Sequence, residues 1–286
     1  MKKEDWNPGG DRYLKSGERE LHQFLHSVRA NKTIDWEKVL KKKGSRWEPF
    51  QRAASRCGGI RGRILEVGAG DGWCSAAVLR HYDNVEASYI MEIDEAAVDS
   101  LIPVTLQNFE VADRNVTLVL GSFNAIPHVD YFDFVIAMGS LHHSENLFVT
   151  LRSLWQALKP GGVLLSQEPA MADSTSNEFY RRKSQEVKKF DEGIEFRHDE
   201  RSDHFYRKCE YLTALHHAGF DVVMEELGRA HPSPAVKRSF FKRLFLRHPE
   251  VEGPEVPANT PINIFLTATK PLSGETDLPT TAWEKW

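Results

Sequence analysis

Residues 64–72 read ILEVGAGDG, and this stretch decides the fold. An apolar strand from Ile64 to Val67 delivers the chain into Gly68, Gly70 and Gly72, with Ala69 between the first two, just before a helical stretch. Glycines permit a tight turn and close backbone approach at the carboxyl end of a first strand, beside the crevice where open α/β sheets bind ligands. A dinucleotide fingerprint asks for a third glycine three residues after the second. Here that place is Trp73, whose indole obstructs both close packing and the approach of a pyrophosphate. Glu66, two residues before the first glycine, would repel a pyrophosphate but attract an ammonium group.

Outward from this turn, short β runs alternate with helical stretches. RILEV is followed by a helix near 73–81, ASYIME by a helix near 94–110, and VTLVL by FDFVIAM; a helix near 146–158 then leads to GVLLSQ. This is the βα alternation of a mostly parallel sheet. Further on, 174–205 is polar and charged, with Phe179, Tyr180, Val187 and Phe190 on one helical side, and is expected to be an insertion covering the open end of the sheet. Residues 207–218 read as a helix ending at Gly219, followed by FDVVMEEL, a second charged stretch and the strand-like INIFLTAT. Upstream, 17–57 reads as helical pieces broken by Gly44 and Pro49, with Leu21, Phe24, Leu25 and Val28 forming an apolar stripe. The expected organisation is a helical cap over 1–57, an α/β domain over 58–270 with a lid-like insertion at 174–205, and a tail over 271–286.

Composition bounds the function. The 286 residues are 41% hydrophobic and 27% charged, as in ordinary globular proteins, and no apolar run approaches the roughly 20 residues a membrane span needs. MKKEDWNPGG lacks the apolar stretch of a secretory signal, so the cytoplasm is the expected compartment. Cys57, Cys74 and Cys209 are odd in number, far apart and without metal-ligand spacing, so no metal is expected. A net charge of −4 gives no general affinity for nucleic acid.

At the end of the second strand, YIMEID presents Glu92, about the 20 residues beyond Gly72 at which a nucleotide-binding βαβ unit holds an acid for the ribose hydroxyls. Ile93 follows it, and Asp94 is the alternative acid. After the third strand, GSFNAIP sets Ser122 and Phe123 where an adenine edge and face would lie. With EVGAGDG at 66–72, FDFVIAMGSLHH at 132–143 and ALKPGGVLLSQEP at 157–169, the sequence resembles the class I S-adenosylmethionine (SAM)-dependent methyltransferases from about Arg61 to Phe220, particularly their small-molecule branch. The resemblance implies a doubly wound, seven-stranded, mostly parallel sheet with a last antiparallel strand, and SAM as cofactor. It implies that Glu66, Gly68, Ala69, Gly70 and Gly72 surround the methionine moiety and turn, Glu92 and Ile93 the ribose, Ser122 and Phe123 the adenine, and Met138 the end of the fourth strand. The sequence departs from many relatives at Ser122, where they carry an acid.

Methyl transfer from a sulfonium is an in-line displacement, so an enzyme chiefly aligns the acceptor and excludes water. For a hydroxyl acceptor a base helps, and His143, His142 and His204 are the candidates, with Glu168 at the end of the fifth strand. Each histidine also has a plainer reading as a hydrogen-bonding loop residue, and Glu168 one as a pocket-wall carboxylate holding a neighbouring helix end. Tyr13 and Trp47 either close over the cofactor or pack in the core. AVKRSFFKRLFLRH, with apolar Phe240, Phe241 and Leu244 opposite Lys237, Arg238 and Arg243, and RRKSQEVKK at 181–189 read as solvated basic faces or anion contacts. The function expected is methylation of an oxygen or nitrogen of a small polar metabolite. Methylation of RNA or another macromolecule is the alternative, disfavoured because MGSLHH lacks the Asn/Asp-Pro-Pro-aromatic signature; a non-catalytic protein that keeps the fold is a second, disfavoured because glycines and carboxylates are intact.

Overall fold

The computed structural model describes residues 1–6, 36–184, 187–189, 195–197, 204, 206–229 and 261–272. Its centre is an eight-stranded sheet of β1 (Lys2–Asp5), β2 (Gly62–Val67), β3 (Val85–Glu92), β4 (Val116–Leu120), β5 (Phe132–Met138), β6 (Leu158–Met171), β9 (Asp221–Arg229) and β10 (Pro261–Thr269). They lie in the order β1-β4-β3-β2-β5-β6-β10-β9. From β1 to β6 every pairing is parallel, whereas β10 runs antiparallel to both β6 and β9. The order reverses direction between β2 and β5, so the carboxyl ends of these two strands flank the topological switch point.

Seven of these strands are those expected; the eighth, β1, is a correction. Lys2–Asp5 falls in the part of the chain read as helical cap but adds to the edge of β4 in the register Lys2↔Thr117 to Asp5↔Leu120. Its KKED carries no apolar alternation because an edge strand need not bury its side chains; backbone pairing with β4 and an ion pair between Lys3 and Asp99 hold it. The strand β6 is also longer than GVLLSQ, since β10 pairs with it from Thr269↔Val163 to Pro261↔Met171.

Two apolar layers flank the sheet. On one face, α1 (Trp36–Arg56), α2 (Trp73–His81) and α3 (Ile102–Asn108) bury Phe50, Ala54, Trp73, Val78 and Leu106 against Ile64, Ile90 and Ile136. On the other, α4 (Leu147–Ala157) and α6 (Lys208–Ala218) bury Leu151, Leu154, Tyr211 and Leu215 against Leu65, Val135 and Leu164. Central strands buried on both faces explain why β4 and β5 read as near-continuous apolar runs. The chain passes from β4 to β5 without a described helix, and Trp6, Tyr89, Tyr131 and Phe123 pack against the second layer there.

Two local expectations are revised. The helix α1 runs unbroken through Gly44 and Pro49, because the burial of Phe50, Ala53 and Ala54 outweighs the hydrogen bond that a proline forfeits. Within the insertion, α5 (Asn177–Ser184) is followed by β7 (Val187–Lys189), paired antiparallel with β8 (Glu195–Arg197), so Val187 lies on a strand and does not continue the helical side of Phe179. The Leu21–Val28 stripe, Tyr13, Phe190, the basic stretch 237–247 and the tail beyond Leu272 lie outside the described residues. Among the described residues no helix is long and apolar enough to cross a membrane.

Candidate active site

The glycine-rich turn and the loop after β5 meet at the switch point. Gly68 has φ of 64°, and a Cβ there would lie 2.5 Å from the Ser140 Cβ, so a larger residue would drive the two loops apart. Gly70, with φ of 58°, is different: a Cβ there would meet nothing within 4 Å, and the space above the turn is open. Beside it, Glu92 ends β3 at the mouth of the crevice. Its Oε2 accepts the Gly70 N–H at 2.7 Å and its Oε1 the Ile93 N–H at 2.7 Å, so the acid holds the turn and its own strand end together. Asp94 instead accepts the Ala96 N–H at 2.8 Å, which commits it to starting the next helical segment.

The Gly121 N–H donates to the Glu92 carbonyl at 3.0 Å and so draws the loop after β4 to the same rim. The Ser122 hydroxyl on that loop accepts the Asn124 N–H at 3.3 Å, and Phe123 packs against the second apolar layer. Met138, buried at the end of β5, leads into Gly139 at φ of 80°. Glu66 is 1% exposed and accepts both the Ser75 N–H, at 2.9 Å, and the Ser75 hydroxyl. Burial pushes its carboxyl up to about 7, against the opposing pull of the Ser75 hydrogen bonds. Thus Glu66 ties the end of β2 to the first turn of α2. Trp73 is buried there as well, with Trp47 edge-on at 6.4 Å, and Trp47 stacks on Phe50 at 5.1 Å as part of the core.

On the other side of the switch point, the three candidate histidines converge around Glu168. This carboxylate, fully buried, accepts N–H groups of Ser140 at 3.0 Å, Leu141 at 2.9 Å and His142 at 3.3 Å, and the Ser166 hydroxyl at 3.1 Å. It also faces the His142 Nδ1 at 2.8 Å. Four backbone or hydroxyl donors are satisfied by one acid, which fixes the tight turn at Leu141–His143 and the imidazole it carries. The His143 ring lies 4.1 Å from that of His142, while its N–H donates to the Ser140 carbonyl at 3.1 Å. The His204 N–H donates to the His142 carbonyl at 2.9 Å and brings the end of the insertion onto the same turn.

Three residues that sequence reasoning passed over stand at this crevice. The buried Ser140 Oγ and Gln167 Oε1 have no hydrogen-bond partner among the described residues, and Gln167 sits opposite Met138 in the β5–β6 register. Buried polar atoms are ordinarily paired, so these two keep unused hydrogen-bonding capacity. The third, Arg46, comes from α1: its guanidinium lies 3.5 Å from where a Gly139 Cβ would be. Ser140 was visible in MGSLHH, but nothing in the pattern of α1 marks Arg46. An acid at the end of β3 and an open glycine turn thus stand side by side at the switch point. Among the described residues no group of His, Cys, Asp and Glu side chains could hold a metal ion.

Comparison with known proteins agrees with this arrangement. The family model described as "Methyltransferase domain" matches residues 36–225. A 110-residue stretch is 34% identical to the PKS-NRPS hybrid synthetase cheA of Chaetomium globosum, covering 37% of this chain and 2% of the synthetase. The chain thus spans a small fraction of that relative's length. Among solved structures, a protein assigned as a sarcosine dimethylglycine methyltransferase from Galdieria sulphuraria superposes with a TM-score of 0.61 at 16% identity, over 90% of this chain and 99% of that one. A phosphoethanolamine N-methyltransferase 2 of Haemonchus contortus, in complex with phosphomonomethylethanolamine and S-adenosylhomocysteine, superposes with a TM-score of 0.55 at 15% identity, over 79% of this chain and 53% of that one. With the family matched over most of its length and the strand order and glycine-rich turn in place, the chain belongs to the methyltransferase domain family, on the class I fold of the SAM-dependent methyltransferases.

Proposed function

We propose that the protein methylates a small polar metabolite with SAM as donor, on an oxygen in preference to a nitrogen, and that His142 is its base. The observation that carries the proposal is the Glu168–His142 contact of 2.8 Å at the acceptor side of the switch point. When bound, SAM supplies a methyl group on a sulfonium, already a strong electrophile, and the residues need only bind, orient and deprotonate. The Glu92 carboxylate keeps acceptor capacity for the two ribose hydroxyls beyond the N–H groups it holds. The turn 68–72 leaves room for the methionine portion, with Glu66 supporting it through Ser75. Ser122 and Phe123 line the adenine end.

At the acceptor, a Glu168 carboxylate beside Nδ1 selects the tautomer with the proton on Nδ1 and leaves Nε2 as the proton acceptor. This is the arrangement that removing a hydroxyl proton requires; an amine lone pair attacks without it. His143 and His204 hold the imidazole in place and border the acceptor. The test is methyl transfer to a panel of small hydroxylated and amino metabolites, with wild type and His142→Ala compared on the best acceptor. The variant is expected to lose roughly 10²- to 10⁴-fold in kcat with little change in SAM affinity. Unchanged turnover would remove His142 from this role, and turnover of amines alone would remove the preference for oxygen.

A further inference from the structure

We infer that Thr150, buried in α4, is a positioning residue that couples the loop proposed for the adenine to the histidine turn proposed for the acceptor, so that filling the first adjusts the second. The inference rests on the SAM-binding reading above and adds a coupling between its two halves. The Thr150 hydroxyl donates to the Asn124 Oδ1 in the loop after β4, and lies 2.6 Å from the Ser144 hydroxyl at the end of the Leu141–His143 turn. With its one proton given to Asn124, Thr150 accepts from Ser144. The Ser144 carbonyl in turn accepts the Tyr206 hydroxyl, and the His204 N–H, two residues earlier, donates to the His142 carbonyl at 2.9 Å. One chain of hydrogen bonds therefore runs from the loop holding Ser122 and Phe123, through α4, to the turn carrying His142 and the residues packed on it.

The surroundings of Thr150 favour this role over simple packing. The helix α4 buries Leu147, Leu151 and Leu154 in the second apolar layer, where a valine would take the place of Thr150 with no polar atom to satisfy. A buried hydroxyl is costly unless paired, and Thr150 and Ser144 are both fully buried, so what their hydroxyls contribute is the partners they join. The loop also depends on α4 for its position. No described helix stands between β4 and β5, and the loop lies along α4. At one end Asn124 fastens it to Thr150; at the other the Asp130 and Tyr131 N–H groups donate to the Gln156 and Ala157 carbonyls, both at 2.9 Å. Within the loop the Asn124 N–H donates to the Ser122 hydroxyl at 3.3 Å, so a ligand that reorients Ser122 or Phe123 acts directly on the partner of Thr150. Buried hydrogen bonds in series polarise one another, and a change at one end is felt along the chain. At the far end, the turn is held from one side by Glu168 and from the other by Thr150 and Tyr206, so a displacement of Ser144 alters how the His142 Nδ1 meets Glu168.

Adenosine isolates the effect, because it carries the adenine and ribose and lacks the methionine portion and the methyl group. The full chain with isotopically labelled histidines is titrated with adenosine, and the ring signals of His142, identified by their loss in His142→Ala, are followed by NMR while calorimetry gives the affinity. In wild type those signals are expected to shift and to saturate as adenosine fills its site. Thr150→Val is expected to lose the shift while binding adenosine within about threefold of wild type, and Thr150→Ser, which keeps the hydroxyl, to retain it. Asn124→Ala breaks the same chain at a half-buried loop position and is expected to lose the shift at saturating adenosine, which keeps the inference testable if the valine variant does not fold. Adenosine that binds wild type and leaves His142 unmoved would overturn the inference, as would a full shift in the valine or alanine variant, since the signal would then reach His142 by another route. Failure of wild type to bind either adenosine or SAM would overturn the cofactor reading and the inference with it; failure to bind adenosine alone would overturn the placement of the adenine on which the coupling depends.

Discussion

At the scale of single residues, the acids of this crevice differ by what surrounds them. Glu92, at the strand end, is held by N–H groups and keeps a face toward the opening, whereas Glu66, two positions into β2 from its end, is enclosed. Enclosure has a thermodynamic consequence. The Glu66 carboxyl titrates at about 7 in the folded chain against 4.5 for an ordinary glutamate. Below the lower value both states carry the proton, and the folded state bears no penalty. As pH rises through the window between the two values, the unfolded chain ionises first, and stability falls until the folded carboxyl also ionises. The loss is on the order of 3 kcal/mol. Glu66→Gln, which keeps hydrogen-bonding capacity toward Ser75 but cannot ionise, is expected to remove this component. Chemical denaturation of both proteins from pH 4 to 8 measures it, and the same slope in the two would show that Glu66 does not titrate in this way.

At the scale of elements, the turn at Leu141–His143 depends on an acid from a different strand. Truncating Glu168 to alanine leaves the N–H groups of Ser140, Leu141 and His142 without their acceptor, an expected loss of about 3 kcal/mol in unfolding free energy. Glu168→Gln retains one carbonyl oxygen and is expected to lose less. A loss under about 0.5 kcal/mol for Glu168→Ala, the scale of a surface substitution, would contradict the account. This clamp also shows what the sequence could and could not reveal. The strands β2, β4 and β5 and the helices α2, α4 and α6 were legible, because a hydrophobic period or a run of buried residues is a local signal. Glu92 and the glycine turn were legible for the same reason, since their spacing is fixed within one βαβ unit. The partnership of Glu168 with His142 spans 26 residues and two strands, so sequence could place both near the opening without joining them. The strand β1 was hidden because KKED has no pattern, and Arg46 because its place at the crevice comes from α1 lying across Gly139, a tertiary fact.

At the scale of the whole molecule, the proposed function divides the sheet at the switch point: β2, β3 and β4 carry the turn and acid proposed for the adenosine, and β5 and β6 the histidine turn proposed for the acceptor. Because both halves belong to one continuous sheet with layers shared across it, a ligand that binds at the junction stabilises the entire fold by mass action. SAM at a hundred times its dissociation constant is expected to add about 2.7 kcal/mol. For a chain of 286 residues this corresponds to a rise of about 5 °C in Tm. NAD at the same concentration is expected to give no shift, since the position where a dinucleotide site needs its third glycine holds Trp73, packed under Lys43 and against Trp47. Differential scanning of the protein with each ligand makes the comparison directly. An NAD shift as large as that of SAM would mean that the buried indole does not discriminate between the two nucleotides, and the argument from Trp73 would fall with it. A shift with SAM alone would tie the discrimination to a core residue that never needs to touch the ligand, because the indole acts by occupying the space through which a pyrophosphate must approach the helix.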